Sequence, residues 1–408
     1  MKPEIRRQVA ESRRLTEEQK LDWLHLIRCE NIGPRTFAAL IQRYGDAGAA
    51  LRALPDLIRQ GKGRPVVMAS RDAVLREWDQ AERLGARPIA RIEPDYPASL
   101  RAIDSPPPLI FVRGDVALLQ KPMVALVGSR NASAAGLAMT ERLVRGLGAA
   151  GYVIVSGLAR GVDACAHRAS LATGAVGVLA GGLDRPYPPE NIALIDQMAE
   201  RGAVISEMPF GYEPRGRDFP RRNRVVSGLS LATVVVEAAR RSGSLITANF
   251  AQDQGREVFA VPGSPLDPRA EGTNDLIRGG ALLCASVQDI VDVVAPLAAR
   301  GATRYDLLFE PDPAPYDESL WDEWDAGLAP SAPLEVSSLA PSCEPPQLSG
   351  NLSPHERVES LLGPAPVAVD DLARASGCSV GEIRLILQEL EIEGRIERQS
   401  GDRVALIS

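Results

Sequence analysis

"MVALVGSRNAS", residues 123–133, decides how the middle of this 408-residue chain is read. Five consecutive apolar residues run into the turn Val127-Gly128-Ser129-Arg130, after which the spacing turns helical. An apolar run without alternation fits a strand buried on both faces, and strand–turn–helix is the repeating unit of a parallel α/β sheet. The same pattern recurs in "PLIFVRG" (108–114), "YVIVSG" (152–157), "AVGVLAGG" (175–182), "AVISE" (203–207), "ATVVVEA" (232–238) and "EVFAVPG" (257–263). Residues 88–300 are therefore expected to form an extended Rossmann-like, doubly wound parallel sheet covered on both faces.

Working outward, residues 1–20 are charged and expected to be frayed, and residues 21–87 form a helical module. Within it, "LDWLHLIRCENIGPRTFAALIQRYG" breaks helical spacing at Asn31-Ile32-Gly33-Pro34, as in a SAM-like or helix-hairpin-helix turn. Asn31 stands where such a hairpin carries its first glycine, and asparagine tolerates the left-handed backbone conformation. A plain packing module remains the alternative. On the other side, residues 301–353 concentrate proline and acid and are expected to be a flexible linker. Residues 354–408 read as three helices and a hairpin, a winged-helix pattern.

The net charge of −7 hides a division. Residues 305–349 hold ten acidic and no basic side chains, and residues 350–408 carry −4, so residues 1–304 carry +7. The body is basic, and its charge is almost all arginine, the side chain suited to bidentate phosphate contacts. Cys29, Cys165, Cys284, Cys343 and Cys378 are scattered without a C-x-x-C pair, which suggests neither zinc nor a disulfide framework. No apolar signal core opens the chain and no run approaches the ~18 residues a membrane span needs, so a cytoplasmic protein with no membrane partner is expected.

Ligands of doubly wound sheets bind at the carboxyl ends of the strands. The first loop there, 127–133, is not G-x-G-x-x-G. The second strand ends in Ser156-Gly157 and runs into Arg160 instead of the acidic residue that holds a dinucleotide ribose, which disfavours NAD. No cofactor is expected. Asp163 and His167 lack a third metal ligand at suitable spacing and read as a helix-capping Asp with a structural His. Glu207 and Glu237, at strand ends beside many arginines, read as salt-bridge partners that orient guanidinium groups. Ser242-Gly243-Ser244 offers an anion nest.

The stretch "RGRDFPRRNR", residues 215–224, sets Arg215, Arg217, Arg221, Arg222 and Arg224 against Asp218, with Glu213 just upstream, leaving a local +3. It reads as a loop before a helix "NRVVSGLS". That charge suits a run of phosphates better than one small anion. Phe219 adds a flat apolar face, and stacking a base on such a ring is worth about 1–3 kcal/mol without choosing among bases. Unpaired nucleic acid is the ligand this combination fits. The competing interpretation buries Phe219 and leaves the arginines solvated.

Taken in order, "VALVGSR", "VSGLARGVDACAH", "AGGLDRPYPPEN", "SEMPFG", "FPRRNRVVSGLS", "VVVEAARRSGSLITA", "REVFAVPGS" and "GTNDLIRGGALL" resemble the bacterial DNA processing protein A (DprA) family. The resemblance implies sequence-independent binding and protection of single-stranded DNA, homodimerisation through the Rossmann-like domain, and loading of RecA during natural transformation and recombination, with no chemical step. It assigns the DNA pocket to Gly128, Ser129 and Arg130, to Gly157 and Arg160, to Arg217, Phe219, Arg221, Arg222 and Asn223, and to Ser242, Gly243 and Ser244. Lysines that some relatives use there have no counterpart. The rival expectation is a nucleotide-cleaving phosphoribohydrolase of the lysine-decarboxylase-like group. Its P-G-G-x-G-T-x-x-E loop would fall on residues 242–249, which end in Asn249 with no acid. A duplex-reading winged helix is a further rival, but its recognition helix carries four glutamates against Arg384.

Overall fold

The computed structural model describes residues 14–59, 66–304, 353–399 and 403–406. Its centre is a nine-stranded sheet of order β1-β2-β6-β5-β4-β3-β7-β8-β9. The strands are β1 (Ala86–Ala90), β2 (Leu109–Gly114), β3 (Met123–Val127), β4 (Val153–Ser156), β5 (Ala175–Val178), β6 (Ala203–Ser206), β7 (Ala232–Val235), β8 (Glu257–Ala260) and β9 (Leu282–Leu283). From β6 across to β9 every pairing is parallel.

The "PLIFVRG" run departs from the parallel expectation. β2 joins β6 antiparallel and pairs antiparallel with β1 on its other side. An antiparallel neighbour needs no crossover helix, and Leu109–Val112 are all buried, so the apolar run looks the same in either direction.

β3 shows why the opening stretch lacks alternation. Val124 and Leu126 pack on one face against Leu143 and Val144 of a covering helix. Ala125 and Val127 pack on the other face with Val225 and Val226. Both faces of the strand are closed to water, as its continuous apolar composition requires. The chain winds from β3 outward to β6 and then returns to place β7 beside β3. The turns after β3 and β7 therefore flank the topological switch point.

Four N-terminal helices, α1 (Glu17–Arg28), α2 (Pro34–Tyr44), α3 (Ala47–Arg59) and α4 (Arg71–Arg83), form the helix-hairpin-helix module. α1 begins inside the stretch expected to be frayed, because Thr16 and Gln19 close a reciprocal capping box. Asn31 takes φ 65° at the hairpin turn. The module shares its core with Phe111, Leu158 and Leu194 of the sheet domain, and Arg28 pairs with Glu77 at 2.7 Å.

Further helices are α5 (Ala98–Arg101), α6 (Ala134–Ala149), α7 (Val162–Ser170), α8 (Ile192–Arg201), α9 (Asp218–Leu229), α10 (Gly243–Asp253), α11 (Glu271–Arg278) and α12 (Val287–Arg304). Most of the expected linker lies outside the described residues. Beyond it, α13 (Pro354–Leu361), α14 (Val369–Ser376) and α15 (Val380–Ile392) with β10 (Val367–Ala368), β11 (Ile396–Gln399) and β12 (Arg403–Leu406) make the winged helix. It docks on the sheet domain: Arg269 donates to the Leu362 and Ser360 carbonyls at 2.8 and 3.3 Å, and Ala134 of α6 joins its apolar core.

Candidate nucleic-acid interface

The opening turn leaves β3 at the switch point and is pinned at both ends. Val162 N–H donates to the Ser129 carbonyl (3.2 Å), and Asn131 N–H donates to Ser129 Oγ (3.1 Å). Gly128 permits this closeness, since a Cβ there would lie 2.6 Å from Val162 Cγ2. At the far end Ser133 caps α6 by accepting from Gly136 N–H (3.0 Å). Arg130 projects from between these anchors and is exposed.

The arginine-rich stretch differs from its expected loop. α9 starts at Asp218, five residues before the expected helix, so Phe219, Arg221, Arg222 and Asn223 lie on its first turns. Pro220 is compatible with this start, because a proline in the first helical turn removes only an N–H that has no intrahelical partner. Asp218 fixes the start: its buried carboxylate accepts from Arg215 N–H (2.8 Å) and Tyr212 Oη (2.9 Å).

Being helical separates the arginines by role. Arg222 turns inward, is 6% exposed, and donates to the carbonyls of Gly157 and Val178 at the ends of β4 and β5. Burial pushes its guanidinium down to about 10, against the pull of Asp163. Gly157 is required beneath it, because a Cβ would sit 2.5 Å from the guanidinium. Arg224 pairs with Glu207 at 2.6 Å and Arg221 at 3.2 Å. Glu207 thus orients guanidinium groups, as the sequence suggests.

Two other carboxylates hold backbone. Asp163 accepts from Gly157 N–H (3.2 Å) and Ala159 N–H (3.3 Å), so those donors of the second turn are already used. Burial pushes its carboxyl above the usual range, with Arg222 opposing. His167, one turn on, is fully buried, and desolvation lowers its imidazole to about 3. Glu237 departs from the salt-bridge expectation: it accepts from Ser133 N–H (2.9 Å) and Ser133 Oγ (2.5 Å) instead. Burial raises its carboxyl, and those two hydrogen bonds pull it back.

What remains forms an outer rim. The Arg130 guanidinium stands 5.4 Å from the centre of the Phe219 ring, and Tyr187 meets that ring edge-on at 5.7 Å. Phe219 is half-buried and Tyr187 is 39% exposed. Arg215, Arg217 and Arg241 are exposed, and none forms an ion pair among the described residues. Arg160 stands apart, 3.9 Å from Glu190. Asn223 ties α9 to the last turn by donating to the Gly243 carbonyl (3.3 Å). There Ser242 caps α10, its Oγ 2.7 Å from Ser244 Oγ.

Tyr187 and Arg241 escape a reading by local charge, since neither lies in the arginine-rich stretch; an aromatic in a Pro-rich loop after a strand was the available signal. Among the described residues no cluster of metal-binding side chains occurs and no helix is long and apolar enough to cross a membrane.

Fold and site define a three-part protein: a Rossmann-like sheet with an aromatic, arginine-rich rim, between a helix-hairpin-helix module and a winged helix. Comparison with known proteins resolves the class further. Residues 87–295 match the family described as DNA recombination-mediator protein A, residues 17–80 a DprA-like N-terminal HHH domain, and residues 343–402 a DprA winged helix domain. The chain is 30% identical to Protein Smf of Synechocystis over 95% of its own length and 99% of that protein's. It is 46% identical to DNA processing protein DprA of Bacillus subtilis over 48% of its length and 67% of the relative. The X-ray structure of DNA processing protein A from Streptococcus pneumoniae covers 69% of this chain, and 95% of that one is matched, at 33% identity and a TM-score of 0.53. The chain belongs to the DNA processing protein A family.

Proposed function

We propose that this chain binds single-stranded DNA without sequence preference, protects it, and loads the recombinase RecA onto it during transformation and recombination. The observation that carries the binding proposal is the Arg130–Phe219–Tyr187 group beside uncommitted arginines. Guanidinium groups neutralise phosphates, while a half-exposed ring stacks an unpaired base that a duplex would hide. Gly128, Ser129, Arg130, Arg217 and Phe219 would meet the strand. Gly157, Arg222 and Asn223 would hold that surface in shape, with Arg160, Arg221 and Ser242–Ser244 extending it. The named relatives support the link to DNA processing, and the RecA role rests on family membership alone.

The chain would work by binding, without a chemical step. Glu207 and Glu237, after β6 and β7, and Asp163, in the first turn of α7, are all committed to internal partners. Homodimerisation through the α/β domain is supported by the sheet edge at β9, where Leu282 and Leu283 are 38% and 51% exposed. Titration of single-stranded against duplex oligonucleotide at two salt concentrations tests the binding proposal. Preference for the single strand, with a log–log salt slope of several times about −0.7, is expected. Equal affinity for both, or salt-independent binding, would overturn it. Co-capture of RecA on DNA held by this protein, lost when the protein is omitted, tests the loading role.

A further inference from the structure

Glu237 occupies the place where doubly wound proteins seat a phosphate. It lies two residues past β7 at the switch point, and its carboxylate receives both the N–H and the hydroxyl of Ser133, the N-cap of the sixteen-residue helix α6. The positive end of a helix macrodipole and its unpaired N–H groups make that position favourable for an anion. Gly136 is shaped to it: a Cβ there would lie 2.5 Å from Glu237 Cδ and 2.6 and 2.8 Å from its two oxygens. The carboxylate is therefore an internal anion, closely enclosed by the helix end.

From this we infer that Glu237 is a positioning residue for strand binding: by filling the anion seat of α6 it fixes loop 128–133 and sets Arg130 against Phe219. Arg130 lies between two anchors. One is Ser129, held by α7 through Val162 N–H; the other is Ser133, held by Glu237. With the second anchor released, the loop keeps its arginine but loses the constraint that aims it. This inference rests on the proposed binding of single-stranded DNA.

The test is a titration of the full chain with oligo-dT over a range of salt, for the parent and for E237A, E237Q, S133A, R130A and E237A/R130A. E237A should weaken binding as much as R130A, roughly tenfold for one charge-assisted contact, and flatten the salt slope by the same ~0.7. The double variant should lose no more than either single one, because both remove the same contact. E237Q, which keeps the shape and a carbonyl for Ser133 N–H, should retain most of the affinity. Formate should restore E237A and not R130A. If E237A does not fold, S133A carries the test: it removes the hydroxyl anchor, keeps the N–H one, and should flatten the slope by part of that amount. Additive losses in the double variant, a parent-like slope in S133A, or an E237A protein that binds like the parent would each overturn the inference. Absence of binding by the parent would instead overturn the proposed function.

Discussion

Arg222 and Arg130 carry the same functional group a short distance apart, yet one belongs to the frame of the site and the other to its rim. Arg222 is buried and spends donors on two strand-end carbonyls. Arg130 is exposed and touches an aromatic ring. The frame also takes in Arg224 and Arg221 on Glu207, Asp163 on the second turn, and Glu237 on the first. Arginine count alone therefore overstates the charge available to a ligand. What a strand would feel is the fraction of that charge the fold has not already used.

The strongest way to break this division is Arg222→Ala. Removing this buried donor leaves two strand-end carbonyls unsatisfied, at a cost of about 1–3 kcal/mol for each buried acceptor. Chemical denaturation should show that loss, with binding failing only because the frame fails. Phe219→Ala probes the rim. It should weaken oligo-dT by about 1–3 kcal/mol, leave the salt slope unchanged, and perturb the unfolding midpoint much less than Arg222→Ala.

Acid should attack the frame and spare the rim. His167 has an ordinary value of 6.5, lowered by burial to about 3. Between those values the unfolded chain holds a proton that the folded chain lacks, so stability is complete above pH 6.5 and falls as the pH drops toward 3. The slope from this group is up to about 1.4 kcal/mol per pH unit. Asp163 and Glu237, whose carboxyls burial raises, act in the opposite sense, so the comparison is between parent and His167→Gln: from pH 7 to pH 5 the parent should lose more stability, or gain less, than the variant. The smallest effects belong to Arg130→Ala and Arg217→Ala, each costing roughly a tenfold loss of affinity and ~0.7 of salt slope, with unfolding midpoints unchanged.

Strand positions were legible because strands buried on both faces leave unbroken apolar runs, as Val124–Val127 show. Strand direction at β2 was not, since burial on both faces carries no sign of polarity. The rim was half legible. Phe219 and its arginines stand out by composition, whereas Tyr187 reaches them only through the tertiary fold. The role of Glu237 was hidden because its partner, Ser133, is a neutral side chain far away in sequence. Nearby arginines invite a salt bridge, and the carboxylate instead accepts from the N–H and hydroxyl of Ser133 at the start of α6. Asp218 enters the charge count of its stretch as one acid among arginines, and nothing in that count shows that it also starts α9 by accepting from Arg215 N–H.

The most direct measurement is photo-crosslinking of the full chain to a single-stranded oligonucleotide carrying 5-iodo-deoxyuridine, with the joined peptides read by mass spectrometry. Crosslinks at Phe219 or Tyr187, abolished by unlabelled single strand and not by duplex, are expected. Crosslinks confined to the winged helix, residues 353–406, or to the N-terminal module would contradict the assignment of the strand to this rim.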